Sequence, residues 1–172
     1  MDALYAMKNR RSVRAYRKEK IRDDQLNAIL EAGTYAPTGM GKQSPIMVVV
    51  QDPDLIAKLS RMNAAVMGMD GDPFYGAPTV VIVFGNPSAA MTWLEDGALV
   101  MGNLLNAAFA VGVDSCWIHR AKQMFESEEG KALMRAWGVP DDCVGIGNCI
   151  LGYASGPLPS PKARKADYII ST

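Results

Sequence analysis

Helix-like and strand-like segments intermix along this chain, which predicts one mixed domain of class α+β or α/β. Three observations carry that prediction. The 172 residues are 49% hydrophobic, enough to build one substantial core. Short apolar, β-branched runs at Ile46–Val50 and Thr79–Phe84 are separated by stretches with helical periodicity. One stretch, Ala89–Val111, is apolar on almost every side, the mark of a helix covered by more than one neighbour.

The elements follow in order. Residues 2–9 predict a short helix that ends at an arginine cluster. Asp23 or Asp24 caps a second helix with Leu26, Ile29 and Leu30 on its apolar face and Gly33 at its end. The stretch Ala36–Pro45 is too rich in Gly and Pro to be regular. Ile46–Val50 reads as a buried strand. Asp52-Pro53 then supplies the cap and first position of a helix with Leu55, Ile56, Leu59 and Met62 inward. A glycine-rich loop from Gly68 to Gly76 leads to the Thr79–Phe84 strand. After the long apolar helix come a strand at Val113–Ile118, a Ser127-capped helix ending near Gly138, and a strand at Val144–Tyr153. Pro157, Pro159 and Pro161 keep the tail extended, and Tyr168-Ile169-Ile170 has strand propensity. Small residues on the apolar helix (Gly97, Ala98, Gly102, Ala107, Ala108) allow close approach of another helix. A second subunit is the expected cover for its remaining faces, and an extended arm suits addition to a neighbour's sheet.

Eighteen basic residues balance eighteen acidic ones. No overall field draws such a chain to nucleic acid or to a membrane. Three cysteines, Cys116, Cys143 and Cys149, lack CxxC spacing and predict no disulfide framework. The N-terminus has no signal-like core, and no apolar run reaches membrane-spanning length. The expectation is a soluble, cytoplasmic protein.

Within this neutral chain, Arg10-Arg11-Ser12-Val13-Arg14 and the distant pair Lys162 and Arg164 stand out as local cationic sites. Arginine's planar fork matches phosphate oxygens, so an anionic ligand is the expected partner. Other chemistries lack their residues. His119 is the only histidine, with no ligand cluster around it, so no metal site is expected. No GxSxG elbow is present. Gly145-Ile146-Gly147-Asn148-Cys149-Ile150 begins like a dinucleotide fingerprint but falls inside a strand and ends in Ile150. Gly41-Lys42 lacks the hydroxyl residue and the first glycine of a phosphate-binding loop.

Taken together, the motifs resemble the FMN-dependent nitroreductase family over nearly the whole chain. Asn9-Arg10-Arg11-Ser12-Val13-Arg14-Ala15-Tyr16 is similar to its opening signature and Ala36-Pro37-Thr38-Gly39 to its second loop. Gly76-Ala77-Pro78-Thr79 resembles a third station. Glu95-Asp96-Gly97 through Asp114-Ser115-Cys116-Trp117-Ile118 resembles the central helix and following strand. Leu151-Gly152-Tyr153 and Pro161-Lys162-Ala163-Arg164 resemble the close. Two departures stand out: Gly41-Lys42-Gln43-Ser44-Pro45 replaces a loop that carries Asn and Gln-Pro-Trp in many relatives, and Met67–Tyr75 is a short lid, which implies a more open cavity or one shaped by Phe74 and Tyr75.

The resemblance implies an α+β, three-layer α/β/α sandwich around a mixed sheet, in one domain over residues 1–172. The tail, residues 156–172, would be exchanged as an arm in a homodimer. It implies tightly but non-covalently held FMN, with NAD(P)H as cosubstrate and ping-pong hydride transfer to a small nitroaromatic, quinone or related acceptor. Reductive removal of a substituent such as a halogen, or non-catalytic redox sensing, are alternatives on the same scaffold. By resemblance Arg10, Arg11, Ser12, Lys162 and Arg164 hold the phosphate, and Arg14 meets the N1/O2 edge of the flavin. Pro37, Thr38 and Gly39 come from the second subunit, Asn63 contacts the pyrimidine edge, and Trp117 and Ile118 pass near N5. His119 is a candidate proton donor.

Overall fold

The computed structural model describes residues 2–172. The helices are α1 (Ala3–Asn9), α2 (Asp23–Thr34), α3 (Pro53–Met67), α4 (Trp93–Ala110), α5 (Ala121–Glu126) and α6 (Glu128–Ala136); the strands are β1 (Ile46–Val50), β2 (Thr79–Gly85), β3 (Asp114–Ile118) and β4 (Val144–Gly152).

Helix ends follow local chemistry. Asp52 accepts a hydrogen bond from Leu55 N, Pro53 sits at the first position of α3, and Gly68 closes that helix with φ of 64°. Ser127 caps α6 by accepting from Gly130 N. In α2 the expected caps Asp23 and Asp24 are the first two helical residues, where they face the positive helix end; Arg22 is the N-cap and Gly33 is buried within the last turn. The apolar helix expected from Ala89 begins later, at Trp93, because the Asn86 side chain accepts from Ser88 N and Ala89 N and folds that stretch into turns. Helix α5 was not expected as an element separate from α6.

The strands form one sheet in the order β1-β2-β4-β3. Every pair is antiparallel, so the expected mixed sheet is corrected. The loop after α3 explains the first pairing. It runs back along the helix, with Asp72 accepting from Ser60, and brings Thr79 beside Gln51 where β1 ended. Among the described residues, the one parallel contact is a bridge between Ser12 and Ser115.

Alternation along the central strands builds two cores. Val80, Ile82, Phe84 and Ile150 face α3, α5 and α6, with Leu59, Met62, Phe125 and Met134. Val81, Val83, Cys149 and Leu151 face α2 and α4, with Ile29, Met101 and Leu104. The result is the three-layer α/β/α arrangement, and each fully buried large side chain contributes roughly 1.5–3 kcal/mol. A bulge opposite Val83 and Phe84 skips Ile146 in the β4 register, which turns Ile146 onto the α4 face. β1 is an edge strand and only Val50 in it is buried, so the expectation of a buried strand fails there. The tail is exposed from Ser155 onward, and its expected strand forms a 3-10 turn at Ala166–Tyr168 instead.

Candidate functional site

The arginine cluster is fastened to the sheet by its backbone. After α1, residues 12–17 run along the free edge of β3 and past the end of β4. Val13 N donates to Ser115 O, Arg17 N to Tyr153 O, and Ser155 N to Ala15 O, at 3.1, 2.9 and 3.0 Å. Val13 and Tyr16 anchor the segment in the core, and the Tyr16 hydroxyl donates to Val13 O. Three cationic side chains are thereby delivered to one corner of the sheet.

Their environments differ. Arg10 is half-buried, and its Nη1 is a buried nitrogen without a hydrogen-bond partner among the described residues. Such a group is costly unless an acceptor meets it. Arg11 turns its Nη1 back onto the carbonyls of Lys8 and Arg10, capping α1. The Ser12 hydroxyl lies beside the buried Cys116 thiol; burial holds that thiol above its usual range, against the opposing pull of Arg14, Ser12 and Arg10. Arg14 is exposed and reaches into a cleft.

That cleft, of about 420 Å³, joins Arg14, Trp117, Ile118, His119, Arg120 and Tyr75. Its back wall is the end of β3, fixed by two fully buried amides. Asn63 Nδ2 donates to His119 O at 2.8 Å, and Asn148 Nδ2 donates to Ile118 O at 3.3 Å. Asn63 Oδ1 in turn accepts from Arg120 Nε at 3.1 Å. Asn63, expected at the pyrimidine edge of a flavin, is fully buried, and within the chain its amide positions the strand end. Trp117 lines the cleft while packing on the α4 side over Gly147. Of the expected lid aromatics, Phe74 is buried in the core and only Tyr75 reaches the cleft.

Other expected residues lie apart. Thr38 lines a separate pocket of about 200 Å³, and Gly39 N is held by Asp96 on α4. Pro37 is exposed beside them. Lys162 and Arg164 sit on the exposed tail, where Arg164 donates to Lys162 O. A larger groove of about 670 Å³ follows the first half of α3 past Lys18, Lys20 and Arg61, but it contains none of the expected residues.

Arg120 escaped the sequence reading. It has φ of 75°, a left-handed conformation uncommon outside glycine. A cation just past a strand end was visible, but neither its backbone nor its tether to Asn63 was.

This architecture and this basic corner define an α+β protein with an anion-seeking site beside an aromatic cleft. Residues 7–153 match the Nitroreductase family, and the chain belongs to it. The chain is similar to an FMN-bound nitroreductase from Bacteroides fragilis NCTC 9343, at 33% identity and a TM-score of 0.91, covering 100% of this chain and 99% of that one. It is 27% identical to a protein of Archaeoglobus fulgidus that bears the name NADH dehydrogenase/NAD(P)H nitroreductase, over 88% of this chain and 85% of the relative. It is 25% identical to the Bacillus subtilis FMN reductase [NAD(P)H], over 66% of this chain and 45% of that protein. No helix among the described residues is long and apolar enough to cross a membrane.

Proposed function

We propose that this chain is an NAD(P)H-dependent flavin oxidoreductase that binds FMN at the corner formed by residues 10–14 and the end of β3. The observation that carries this reading is the buried, unpartnered Nη1 of Arg10. It sits in a cluster where no guanidinium of Arg10, Arg11, Arg14 or Arg120 forms an ion pair among the described residues. A phosphate supplies the missing acceptor and the missing negative charge together. The residues present fit the group, and the FMN-bound relative points the same way.

When bound, FMN supplies two-electron hydride chemistry at N5. The chain's own residues bind and orient. Arg10 and Ser12 hold the phosphate, with Arg11 adding charge beside them. Lys162 and Arg164 complete the phosphate site once the tail is placed by a partner subunit. Arg14 would approach the N1/O2 edge, where a cation would favour negative charge on the ring. The end of β3, held by Asn63 and Asn148, would position Trp117 and Ile118 beside the ring. Donor and acceptor use the cleft in turn. For a nitro acceptor the balance is one hydride and one proton per nitro group converted to nitroso and water. The proton comes from solvent or from His119, whose exposed side chain lines the cleft.

The site is completed by a second copy of the chain, which brings Pro37, Thr38 and Gly39. Supporting this, large apolar side chains are left open on α1 (Leu4, Met7), on α4 (Leu94, Leu99) and around it (Met40, Met91), along with Ile169 and Ile170 of the tail. Isolated exposed apolar residues are ordinary, but this many together suit an interface.

The test is direct. The purified protein should carry a flavin absorbance band, and anaerobic NADH or NADPH should bleach it. Protein that cannot be reconstituted with FMN would sink the reading.

A further inference from the structure

We propose that Arg120 selects the electron acceptor, by holding an anionic substituent of an aromatic acceptor at the far side of the cleft from the phosphate corner. This rests on the flavin reading above and names the substrate class that the site favours.

Three observations lead here. First, Arg120 occupies a left-handed backbone conformation, at φ 75° and ψ 9°, as N-cap of α5. Non-glycine residues are held in that region only when their surroundings impose it, and such positions gather at ligand sites. Second, its side chain is fixed by a buried partner. Asn63, fully buried, accepts from Arg120 Nε at 3.1 Å and donates to the carbonyl of His119 next door. Only Nε is used. Both Nη groups of Arg120 are without a hydrogen-bonded partner among the described residues, and they belong to a side chain that lines the cleft. Third, the same cleft is lined by Trp117 and Tyr75, which supply apolar walls for a ring.

Charge in the cleft is placed, not merely present. Asp70 and Asp72 also line it, so the two guanidiniums of Arg14 and Arg120 are formally balanced. Asp72, however, spends its oxygens on Ser60, Phe74 N and Gly76 N, which shapes the loop. Neither carboxylate is in an ion pair with Arg120. A general attraction for anions is absent from this arrangement. Recognition comes from one guanidinium fixed in position, whose free edge suits a carboxylate in two-point contact.

The experiment compares para-nitrobenzoate with para-nitrobenzamide, which share ring and nitro group and differ in charge. Steady-state kinetics with FMN-loaded enzyme give the ratio of kcat/KM for the two. In the wild type the ratio should favour the benzoate. In Arg120→Gln it should fall about tenfold or more, mainly through the KM for the benzoate, the size expected when one charge-assisted contact is lost. Arg120→Gly, which suits the left-handed backbone and so protects folding, should give the same fall. FMN affinity, measured by flavin fluorescence, should stay within about twofold, a change worth less than one hydrogen bond. An unchanged ratio in both variants overturns the inference. So does a loss of FMN affinity at constant ratio, which makes Arg120 a flavin ligand. Wild-type protein that holds no FMN and reduces neither compound overturns the flavin reading as well, and is recognised by its missing absorbance.

Discussion

Asp96 Oδ1 accepts a hydrogen bond from Gly39 N at 2.9 Å, across fifty-seven positions of sequence. Asp96 is buried in the first turn of α4, and its second oxygen accepts from the Thr92 hydroxyl. The Thr92 hydroxyl also stands where a side chain at Gly39 would project. One buried carboxylate thus pins the loop that carries Pro37, Thr38 and Gly39. Asp96→Ala leaves a backbone donor without its acceptor and should cost about 1–3 kcal/mol. Asp96→Asn keeps an acceptor and should cost less. Urea unfolding measures both; equal stability of wild type and Asp96→Ala removes the pin. Weaker FMN binding should accompany the loosened loop.

Arg10→Ala should separate stability from function. Removing the guanidinium also removes a buried unpartnered nitrogen. The FMN-free protein should therefore be as stable as wild type or more so. FMN affinity should fall by about tenfold to a hundredfold, as one or two charge-assisted contacts disappear. A flavin titration reads the second effect. Unchanged affinity removes Arg10 from the phosphate site.

Gly147 lies directly beneath Trp117. A methyl group there would run into the indole nitrogen and come within 3.2 Å of Met101 Cε. Gly147→Ala should cost about 1–3 kcal/mol by overpacking and shift the near-ultraviolet circular dichroism of the tryptophans. If neither stability nor spectrum moves, Trp117 is not held as described.

Leu99 is 47% exposed on α4, a helix otherwise rich in buried apolar residues. If that face meets a second copy, Leu99→Glu should weaken the dimer by at least about tenfold, since charge is strongly disfavoured at interface cores. Analytical ultracentrifugation at several concentrations reads the change. A dimer of undiminished affinity places the interface elsewhere.

Alkali should destabilise the fold. Burial holds the Tyr16 hydroxyl and the Cys116, Cys143 and Cys149 thiols above their ordinary ranges. Each stays protonated in the fold where the unfolded chain ionises, from about pH 8.5 for cysteine and about pH 10 for tyrosine. Unfolding then releases protons, so stability is complete below about pH 8 and declines as the pH rises through that window. Urea midpoints at pH 7.5 and pH 10, both chosen to bracket those values, should differ, and Cys149→Ala should lessen the difference. Equal midpoints would contradict the burial of these groups.

Local chemistry was legible wherever a short segment decides its own state. Asp52-Pro53 started α3 and Ser127 capped α6, because both caps act within a few residues. The alternation that splits Val80, Ile82 and Phe84 from Val81 and Val83 needs only the two-residue period of a strand. The position of the basic cluster after α1 was equally plain. Its meaning came from the resemblance, since spacing alone names only an anion.

Local sequence was therefore enough for most of the elements, the mixed class and the cationic corner. Tertiary structure decided the rest. The antiparallel order depends on where the loop after α3 returns, a path fixed by Asp72 and Ser60 from different elements. The exposure of β1 depends on its place at the sheet edge. The role of Asn63 depends on His119 and Arg120, more than fifty residues away. Hydrogen bonds of that span leave no periodic trace in the sequence, because either partner, read alone, is an ordinary polar residue. Only the folded chain brings Asn63 and Arg120 together and turns a strand end into one wall of a cleft.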